Sequence, residues 1–270
     1  MRPMTVRTAE NNVGVLLRAW RQQRRLSQMD LALEAEVSTR HVSFIETGRA
    51  RPSRDLLLHL AEHLEVPLRE RNTLLLSAGY APAYPHTSLD AAEMGPVRTA
   101  LERILASQEP FPAVVVDRHW DLVAANRPAT RIMAEGVAPE LLSPPANALR
   151  LTLHPLGLAS RIVNFGEYSA HLVGRLQRQV AVSGDPKLKA LLEELRGYPG
   201  VTQSPSPEDI AGRIFVPMVL RAGEGELRFF STISTFGTAL DITVAELAVE
   251  SFFPADKPTE EALRKAAEAD

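Results

Sequence analysis

Residues 26–53 read LSQMDLALEAEVSTRHVSFIETGRARPS and hold two short helical patterns separated by a tight turn. Ser27, with an acidic residue three positions later, predicts a capping box at the start of the first helix. Ser38 precedes the second helix, and Gly48 is suited to end it because glycine readily adopts the left-handed conformation. Two short helices joined in this way predict a helix-turn-helix, whose second helix can enter the major groove of DNA.

Three more helices are predicted around this pair. Apolar residues from Val13 to Trp20 follow the spacing of one helical face, which indicates a helix before the pair. Ser53 and Pro67 are suited to begin two leucine-rich helices after it. We therefore expect an all-α, five-helix helix-turn-helix domain over residues 1–80.

The remaining chain predicts a second domain of mixed structure. The proline-containing stretch 81–96 has weak periodicity and is interpreted as a linker, although a packed arm of the second domain fits it equally well. Residues 97–270 combine strand-like runs with helical patterns, which predicts an α+β domain. The strand-like runs are 113–116, 121–125, 214–220 and 227–236, and the long helical patterns are 166–182 and 187–196. Thr243 and Glu246 form a capping-box pattern that predicts a helix through Glu250.

Charge is distributed unevenly between the two parts. Residues 1–80 hold 12 Arg, no Lys and 9 acidic residues, whereas residues 81–270 hold 18 basic and 24 acidic residues. A basic N-terminal part joined to an acidic body suggests an anionic partner for the N-terminal part. The imbalance is small, so it supports the helix-turn-helix prediction without establishing it.

The chain contains no cysteine, which excludes disulfides, thiolate metal ligands and cysteine nucleophiles. Its first residues lack the apolar core of a signal peptide, and no run approaches the roughly 18 apolar residues of a membrane span. We expect a cytoplasmic protein that does not associate with membranes.

The helix-turn-helix segment resembles the Xre/lambda-repressor-like family. The matching positions are Leu26, Gln28, Leu31, Ala32, Val37, Ser38, Val42, Ser43, Glu46, Gly48, Pro52 and Ser53. Each position also has a structural role as a cap, a turn residue or a core residue. The alternative interpretation, a helical bundle that does not bind DNA, accounts for the caps and the core but not for the whole pattern.

Helix-turn-helix geometry assigns roles to individual side chains. The side chains predicted to contact base edges are Thr39, Arg40, Ser43 and Phe44. Arg40 can bind guanine O6 and N7 through both guanidinium nitrogens. Gln28, Arg49 and Arg51 are predicted to contact the phosphate backbone, which sets the position of the protein on DNA. Each arginine has the alternative of being an ordinary solvated surface charge.

Longer segments of the chain resemble the MmyB-like regulators, which combine a helix-turn-helix with a C-terminal PAS-like ligand-binding domain. The segments are RDLLLHLAEHLEVPLRERNTLLLSAGYAPAY, FPAVVVDRHWDLVAAN, LHPLGL, STFGTALDITVAEL and SFFPADKPT. The resemblance implies a PAS-like sheet with a ligand pocket in the second domain. It does not imply a particular ligand.

Candidate pocket residues follow from the large apolar side chains and nearby cations of the second domain. They are Trp120, Phe165, Tyr168, His171, Leu172, Arg175, Phe229 and Phe236. Four of them lie on one face of the helical pattern 166–182 and combine apolar bulk with a cation. Such a face suits an amphipathic carboxylate such as a fatty acid, although a surface ion pair explains Arg175 equally well.

These features predict a sequence-specific, DNA-binding regulator of transcription that is not an enzyme. We expect it to bind a pseudo-palindromic operator in the major groove of double-stranded DNA as a homodimer, and to sense a small amphipathic or apolar ligand. The alternative is an autoregulatory DNA-binding protein, antitoxin-like or a scaffold, whose second domain binds a protein partner. A ligand sensor needs an enclosed pocket, whereas a protein-binding domain needs a large exposed apolar patch.

Catalytic and metal sites are not predicted. No G-x-S-x-G, Walker or G-x-G-x-x-G motif follows a strand. His59 and His63 form an H-x-x-E-H pattern, but catalytic zinc requires a third protein ligand and this segment belongs to the fourth predicted helix. Asp117, Asp121 and Asp241 lie where turn or cap residues are expected.

Overall fold

The computed structural model describes residues 12–202 and 214–268. These residues form two compact units. The first contains the chain up to Ser88 together with Thr238–Ala245, and the second contains Leu89–Gly237 together with the chain from Glu246 onwards. The first unit is all-α and the second is α+β, which confirms the predicted two-domain fold.

The first unit contains the five predicted helices. They are α1 Val13–Gln23, α2 Gln28–Glu34, α3 Thr39–Glu46, α4 Arg54–His63 and α5 Leu68–Ser77. The side chains of Asn12, Ser27, Ser38 and Ser53 each accept an N–H at the start of one of the first four. The capping box predicted at Ser27 is present, with Asp30 as its second member. These caps satisfy amides that a helix start leaves unpaired.

The core of the first unit is a single apolar cluster beneath α2 and α3. Its fully buried members include Leu17, Leu31, Val42, Ile45, Leu57, Leu60, Leu64 and Leu75. Helices α1 and α3 lie close together at Gly14, where a Cβ atom would overlap the Ile45 carbonyl oxygen. No larger residue fits there, so Gly14 sets the distance between the first helix and the second helix of the helix-turn-helix.

Two segments beyond α5 also belong to the first unit. The Asn72 side chain hydrogen-bonds the backbone of Ala83 and Tyr84, which holds the chain against α5. Asp241 accepts hydrogen bonds from the amide and the hydroxyl of Thr87, and one helical turn follows at Ile242–Ala245. The boundary between the units therefore falls at Ser88, inside the stretch 81–96 that was predicted as a linker.

The second unit is built on an antiparallel sheet of five strands. They are β1 Ala113–Val116, β2 Leu122–Ala125, β3 Met218–Ala222, β4 Gly225–Thr235 and β5 Ala248–Pro254. Their order across the sheet is β2-β1-β5-β4-β3. The hairpins β1–β2 and β3–β4 were predicted from apolar runs and turn residues. Strand β5 pairs with both hairpins and is the centre of the sheet.

The helices of the second unit are α6 Gly95–Gln108, α7 Arg127–Ala134, α8 Pro139–Leu142, α9 Ala148–Leu153, α10 Phe165–Ser183, α11 Pro186–Arg196 and a C-terminal helix Lys257–Glu268. Alternate residues of β1 divide between two cores, as strand geometry requires. Val114 and Val116 join the larger core, whereas Ala113 and Val115 join a smaller core with residues of α6. No helix among the described residues is long and apolar enough to cross a membrane.

The helix predicted from Thr243 through Glu250 is wrong. Asp241 caps a helical turn of four residues by accepting the Thr243 amide, and the chain then enters β5 at Ala248. The segment AVESFFP places Val249 in the smaller core and Phe252 against the larger one. This two-sided burial between β1 and β4 outweighs the local capping signal.

Candidate functional site

The outer face of α3 carries the four residues predicted to contact bases. Thr39 and Arg40 are exposed at the start of the helix, and Ser43 and Phe44 are half-buried one turn later. Val42 and Ile45 are fully buried on the opposite face. The helix therefore presents its N-terminal polar side chains outward, as a recognition helix in a major groove must.

Two guanidinium groups lie over the Phe44 ring. The Cζ atom of Arg40 is 5.1 Å from the centre of this ring, and that of Arg49 is 5.9 Å away. Cation–π contacts of this kind restrict two long side chains to one part of the surface. Arg40 and Arg49 thus form one cationic patch around Phe44, with Arg40 on the recognition helix and Arg49 in the loop after it.

A buried ion pair supports this surface from below. Arg21 on α1 donates to both carboxylate oxygens of Glu46 at 2.6 and 2.9 Å, and their side chains are 9% and 1% exposed. The Gln28 amide donates to the same carboxylate at 2.7 Å. Arg21 also donates to the Leu26 carbonyl. The network joins α1, the start of α2 and the end of α3, so it orients Gln28 relative to the recognition helix.

The pKa of the Glu46 carboxyl reflects this network. Burial acts to raise it, but hydrogen bonds from Arg21 and Gln28 outweigh burial and hold the pKa below its ordinary value. Glu46 is therefore ionised at neutral pH. Its role was not predicted, because its partner lies 25 residues away and sequence spacing gives no sign of such a pairing.

Arg51 contacts the chain at the end of α5. Its Nε and Nη2 atoms donate to the Ala78 carbonyl oxygen at 3.1 and 2.6 Å, and its guanidinium lies over the Tyr80 ring. The interaction caps the C-terminal end of α5, where a cation is favourable. These contacts give Arg51 a structural role, which we expect to replace the phosphate contact predicted for it.

Arg49 and Arg51 are expected to differ in the salt dependence of DNA binding. Replacing Arg49 with Ala should weaken binding to all sequences alike and lower the slope of log K against log salt by about 1. Arg51→Ala should leave that slope nearly unchanged and lower thermal stability instead, because it removes the hydrogen bonds to Ala78. Fluorescence anisotropy titrations over a range of salt concentrations measure both slopes. An equal loss of slope in the two variants would contradict the separate roles.

The second unit contains an apolar cavity of about 70 Å³ between the sheet and its helices. Its lining residues are Pro112, Val114, Trp120, Leu122, Ala129, Ile132, Met133, Ala148, Leu149, Leu151, Thr152, Leu158, Tyr168, Leu172, Met218, Phe229, Glu250 and Phe252. A smaller cavity adjoins it and shares Tyr168, Leu172, Met218, Phe229, Glu250 and Phe252 with it. The larger one exceeds several-fold the roughly 10–15 Å³ that a single water needs.

The structure brings together five of the eight predicted pocket residues. Trp120, Tyr168, Leu172 and Phe229 line the larger cavity, and His171 lines the smaller one at an exposed position of α10. The other three predicted residues do not line either cavity, for reasons that differ between them.

Phe165, Phe236 and Arg175 lie outside the lining. Phe165 begins α10 and its ring lies against Gly200, while Phe236 packs in the smaller core beside α6. Arg175 lies with its Cζ atom 4.3 Å from the centre of the Trp120 ring and pairs with Glu250 at 3.5 Å. Its guanidinium is thus held between an indole and a carboxylate.

Trp120 and Glu250 are the two residues that hold the Arg175 guanidinium. Trp120 has a φ of +69°, a conformation that costs free energy in a residue with a side chain, and its indole N–H donates to Gln179 at 2.9 Å. Glu250 is 6% exposed on the central strand β5. The mistaken helix prediction for this segment is the reason Glu250 was not among the predicted pocket residues.

Two groups of potential metal ligands have structural partners. Asp117, His119 and Asp121 lie close together, but an Asp117 oxygen accepts the amides of the other two, and the His119 ring contacts Asp185 at 3.0 Å. This turn leads into Trp120. His59 contacts the Ala35 carbonyl at the end of α2. Both groups therefore serve to hold turns and helix ends.

Comparison with known families agrees with this geometry. Residues 97–266 match the family described as MmyB-like transcription regulator ligand binding domain, and residues 12–74 match the family described as helix-turn-helix domain. Both are regulatory or ligand-binding families rather than enzyme families. A search of curated proteins finds no match.

Among solved structures, the chain is similar to an RNA-binding light-oxygen-voltage receptor at 15% identity and a TM-score of 0.25. The alignment covers 95% of this chain and 60% of that one, and a score this low carries no information on function. The family matches do show the family, because the match to the ligand-binding domain, over residues 97–266, spans more than half of the chain. The chain belongs to the family of MmyB-like transcription regulators, with a helix-turn-helix that binds DNA and a C-terminal ligand-binding domain.

Proposed function

We propose that the protein is a ligand-responsive, sequence-specific regulator of transcription. The observation that carries the ligand half of this proposal is the apolar cavity, which lies inside the region matched by the ligand-binding family. Its walls come from the sheet and from helices α7, α9 and α10, so an occupant contacts several elements at once. A ligand that prefers one arrangement of these elements shifts DNA affinity by that preference and no more.

DNA reading is proposed to rest on the cationic patch and its neighbours on α3. Arg40 reads guanine, Thr39 and Ser43 contact neighbouring groups, and Arg49 binds phosphate. Phe44 contributes mainly by fixing the two guanidinium groups, since both lie over its ring. A homodimer would place two such helices about 34 Å apart on a pseudo-palindromic operator.

The apolar cavity favours a small-molecule sensor over the alternative of a protein-binding second domain. That alternative predicts a large continuous apolar patch on the surface. Ile104, Val123, Leu156, Val163 and Val182 are exposed on separate elements of the described second unit. Ile214, Phe215 and Ile233 are exposed as well, and the Phe215 ring contacts Phe230, which stacks on Phe253, so these aromatic side chains form one group on the surface. The cavity gathers a larger number of apolar side chains around one space.

Arg40→Ala should relax the preference for one base pair of the operator and weaken specific binding by about 1–3 kcal/mol. The operator is first selected from a random DNA pool with the full chain, and affinities are then measured for every single-base variant of it. Because Arg40 is exposed and makes no buried hydrogen bond, folding should be unaffected. An unchanged base preference would remove Arg40 from the reading residues.

The cavity is tested with the neutral apolar fluorophore N-phenyl-1-naphthylamine as a probe. We expect saturable binding to the full chain, and loss of binding in Ala129→Leu, which adds bulk to the wall. Ala106→Leu on the exposed side of α6 is the control. Saturating probe should change operator affinity by about 5-fold or more. Binding that Ala129→Leu does not reduce, or an operator affinity that the probe does not change, would refute the sensor proposal.

A further inference from the structure

The larger and the smaller cavity meet at a polar end within an otherwise apolar space. Tyr168 and Glu250 line both of them, so their polar atoms lie where the two spaces adjoin. The other four residues that line both cavities are apolar: Leu172, Met218, Phe229 and Phe252. A ligand that fills the apolar part therefore directs its polar group, if it has one, toward Tyr168 and Glu250.

The Tyr168 hydroxyl lacks a protein partner. The residue is 6% exposed, and its hydroxyl makes no hydrogen bond with the part of the chain that the structure describes. Buried hydroxyls are nearly always hydrogen-bonded, because leaving one unpaired costs free energy. The group is thus placed to bind something that enters the cavity.

Glu250 also accepts fewer hydrogen bonds than a carboxylate can. Its carboxylate can accept about four hydrogen bonds, yet among the described residues its side chain accepts one, from Arg175 Nη1 at the long distance of 3.5 Å. The residue pairs with Val114 and Ile233 across the sheet, which fixes its side chain on the cavity side of β5. Because β5 is the central strand, this carboxylate cannot move away from the cavity without disturbing the sheet.

Arg175 does not present its charge to the cavity. It lies outside both linings, with its guanidinium over the Trp120 ring and its Nη1 atom toward Glu250. His171 and Ser231 also line the smaller cavity, and burial together with Arg175 and Arg178 holds the pKa of the His171 ring below its ordinary value, so the ring is uncharged at neutral pH. A ligand at the polar end therefore meets a carboxylate and neutral polar groups rather than a cation. A carboxylic acid, the ligand type expected from the sequence, would bring a second negative charge to Glu250.

We infer that the cavity selects an apolar molecule whose polar group donates a hydrogen bond, either a hydroxyl or a protonated amine. The donor binds the Glu250 carboxylate, and Tyr168 supplies a second hydrogen bond to the same group. Charge-assisted hydrogen bonds of this kind are stronger than neutral ones, and a buried acceptor discriminates sharply against ligands that cannot satisfy it. This inference rests on the proposed function, since it names the class of ligand that the proposed sensor takes.

The experiment compares four probes that share one apolar chain: decan-1-ol, decylamine, 1-methoxydecane and decanoic acid. Calorimetry with the full chain at neutral pH gives their affinities. The alcohol and the amine should bind at least about 10-fold more tightly than the ether and the acid. Glu250→Gln should remove most of this preference, and the amine should lose more affinity than the alcohol because its interaction depends on the charge. Tyr168→Phe should weaken the alcohol several-fold.

Two controls separate the inference from the proposed function. Glu261→Gln removes an exposed carboxylate of the C-terminal helix and should change no affinity. Ala129→Leu should weaken all four probes, which places them in the cavity. Equal binding of the four probes that Ala129→Leu still blocks would overturn the donor inference and leave the sensor intact. Tightest binding by decanoic acid would overturn it as well, and binding by none of the probes would overturn both.

Discussion

Glu46→Ala should destabilise the first unit by about 3–5 kcal/mol and abolish operator binding. The substitution leaves the Arg21 guanidinium buried without its carboxylate, and removing one partner of a buried ion pair costs this much. Gln28 loses its anchor at the same time. Since a domain of this size is stable by only about 5–15 kcal/mol, the variant should be partly unfolded at moderate temperature.

The two tryptophans allow each unit to be followed separately. Trp20 lies on α1 in the first unit and Trp120 in the second, and the chain contains no other. In a Trp120→Phe background, denaturant unfolding followed by Trp20 fluorescence measures how much unfolding free energy the first unit loses in Glu46→Ala. In a Trp20→Phe background, Glu46→Ala should leave the Trp120 transition unchanged. An unchanged Trp20 transition would contradict a stabilising role of the ion pair.

A double replacement tests whether the lost stability comes from leaving one buried charge without its partner. Arg21→Met combined with Glu46→Leu removes both charges and keeps apolar volume, so it should recover much of the lost stability. It should not restore DNA binding fully, because Gln28 still lacks its partner. Stability without binding in this variant would separate the structural role of the pair from its positioning of α2.

The same carboxylate makes the first unit sensitive to acid. The pKa of Glu46 is lower in the folded protein than its ordinary value of 4.5, so its contribution is fully present above that value and is lost as pH falls through the folded pKa. Acid titration of the wild type should therefore destabilise the Trp20 transition below about pH 4.5. Glu46→Ala should lack this part of the pH dependence.

Local signals were enough to predict the first unit. Ser27, Ser38 and Ser53 cap helices through bonds to residues three positions away, and such short-range patterns can be recognised in one sequence. The positions of Thr39 and Arg40 on the outer face followed from the buried stripe opposite them. The ion pair between Arg21 and Glu46 could not be predicted, because it depends on how α1 crosses α3.

In the second unit, sequence patterns predict the strand pairs that are close in sequence but not the distant one. The hairpins β1–β2 and β3–β4 were predictable because their strands are neighbours in sequence. Strand β5 pairs with β1 across more than 120 residues, and its capping-box-like start favoured a helix locally. That error concealed Glu250, and with it the polar end of the cavity. Arg175 was predicted to bind the ligand because the sequence gives no sign that it pairs with Glu250.

Asn126→Ala is expected to destabilise the second unit by about 3–5 kcal/mol and to abolish probe binding in the cavity. Asn126 is 6% exposed, and its side chain accepts the amides of Ala113 and Ala129 and donates to the carbonyls of Phe111 and Leu105. The substitution leaves four backbone groups without this partner. It also removes the N-terminal cap of α7, which supplies part of the cavity wall.

Asn12→Ala is the matched control, because Asn12 also caps a helix but is exposed and accepts only the Gly14 amide. It should cost about 1 kcal/mol and affect only the Trp20 transition. Asn126→Ala should shift only the Trp120 transition, and binding of N-phenyl-1-naphthylamine should fall with it while operator affinity without ligand stays within a few-fold. If Asn126→Ala costs no more than Asn12→Ala, the four hydrogen bonds do not hold α7 on the sheet, and the cavity wall must depend on apolar packing alone.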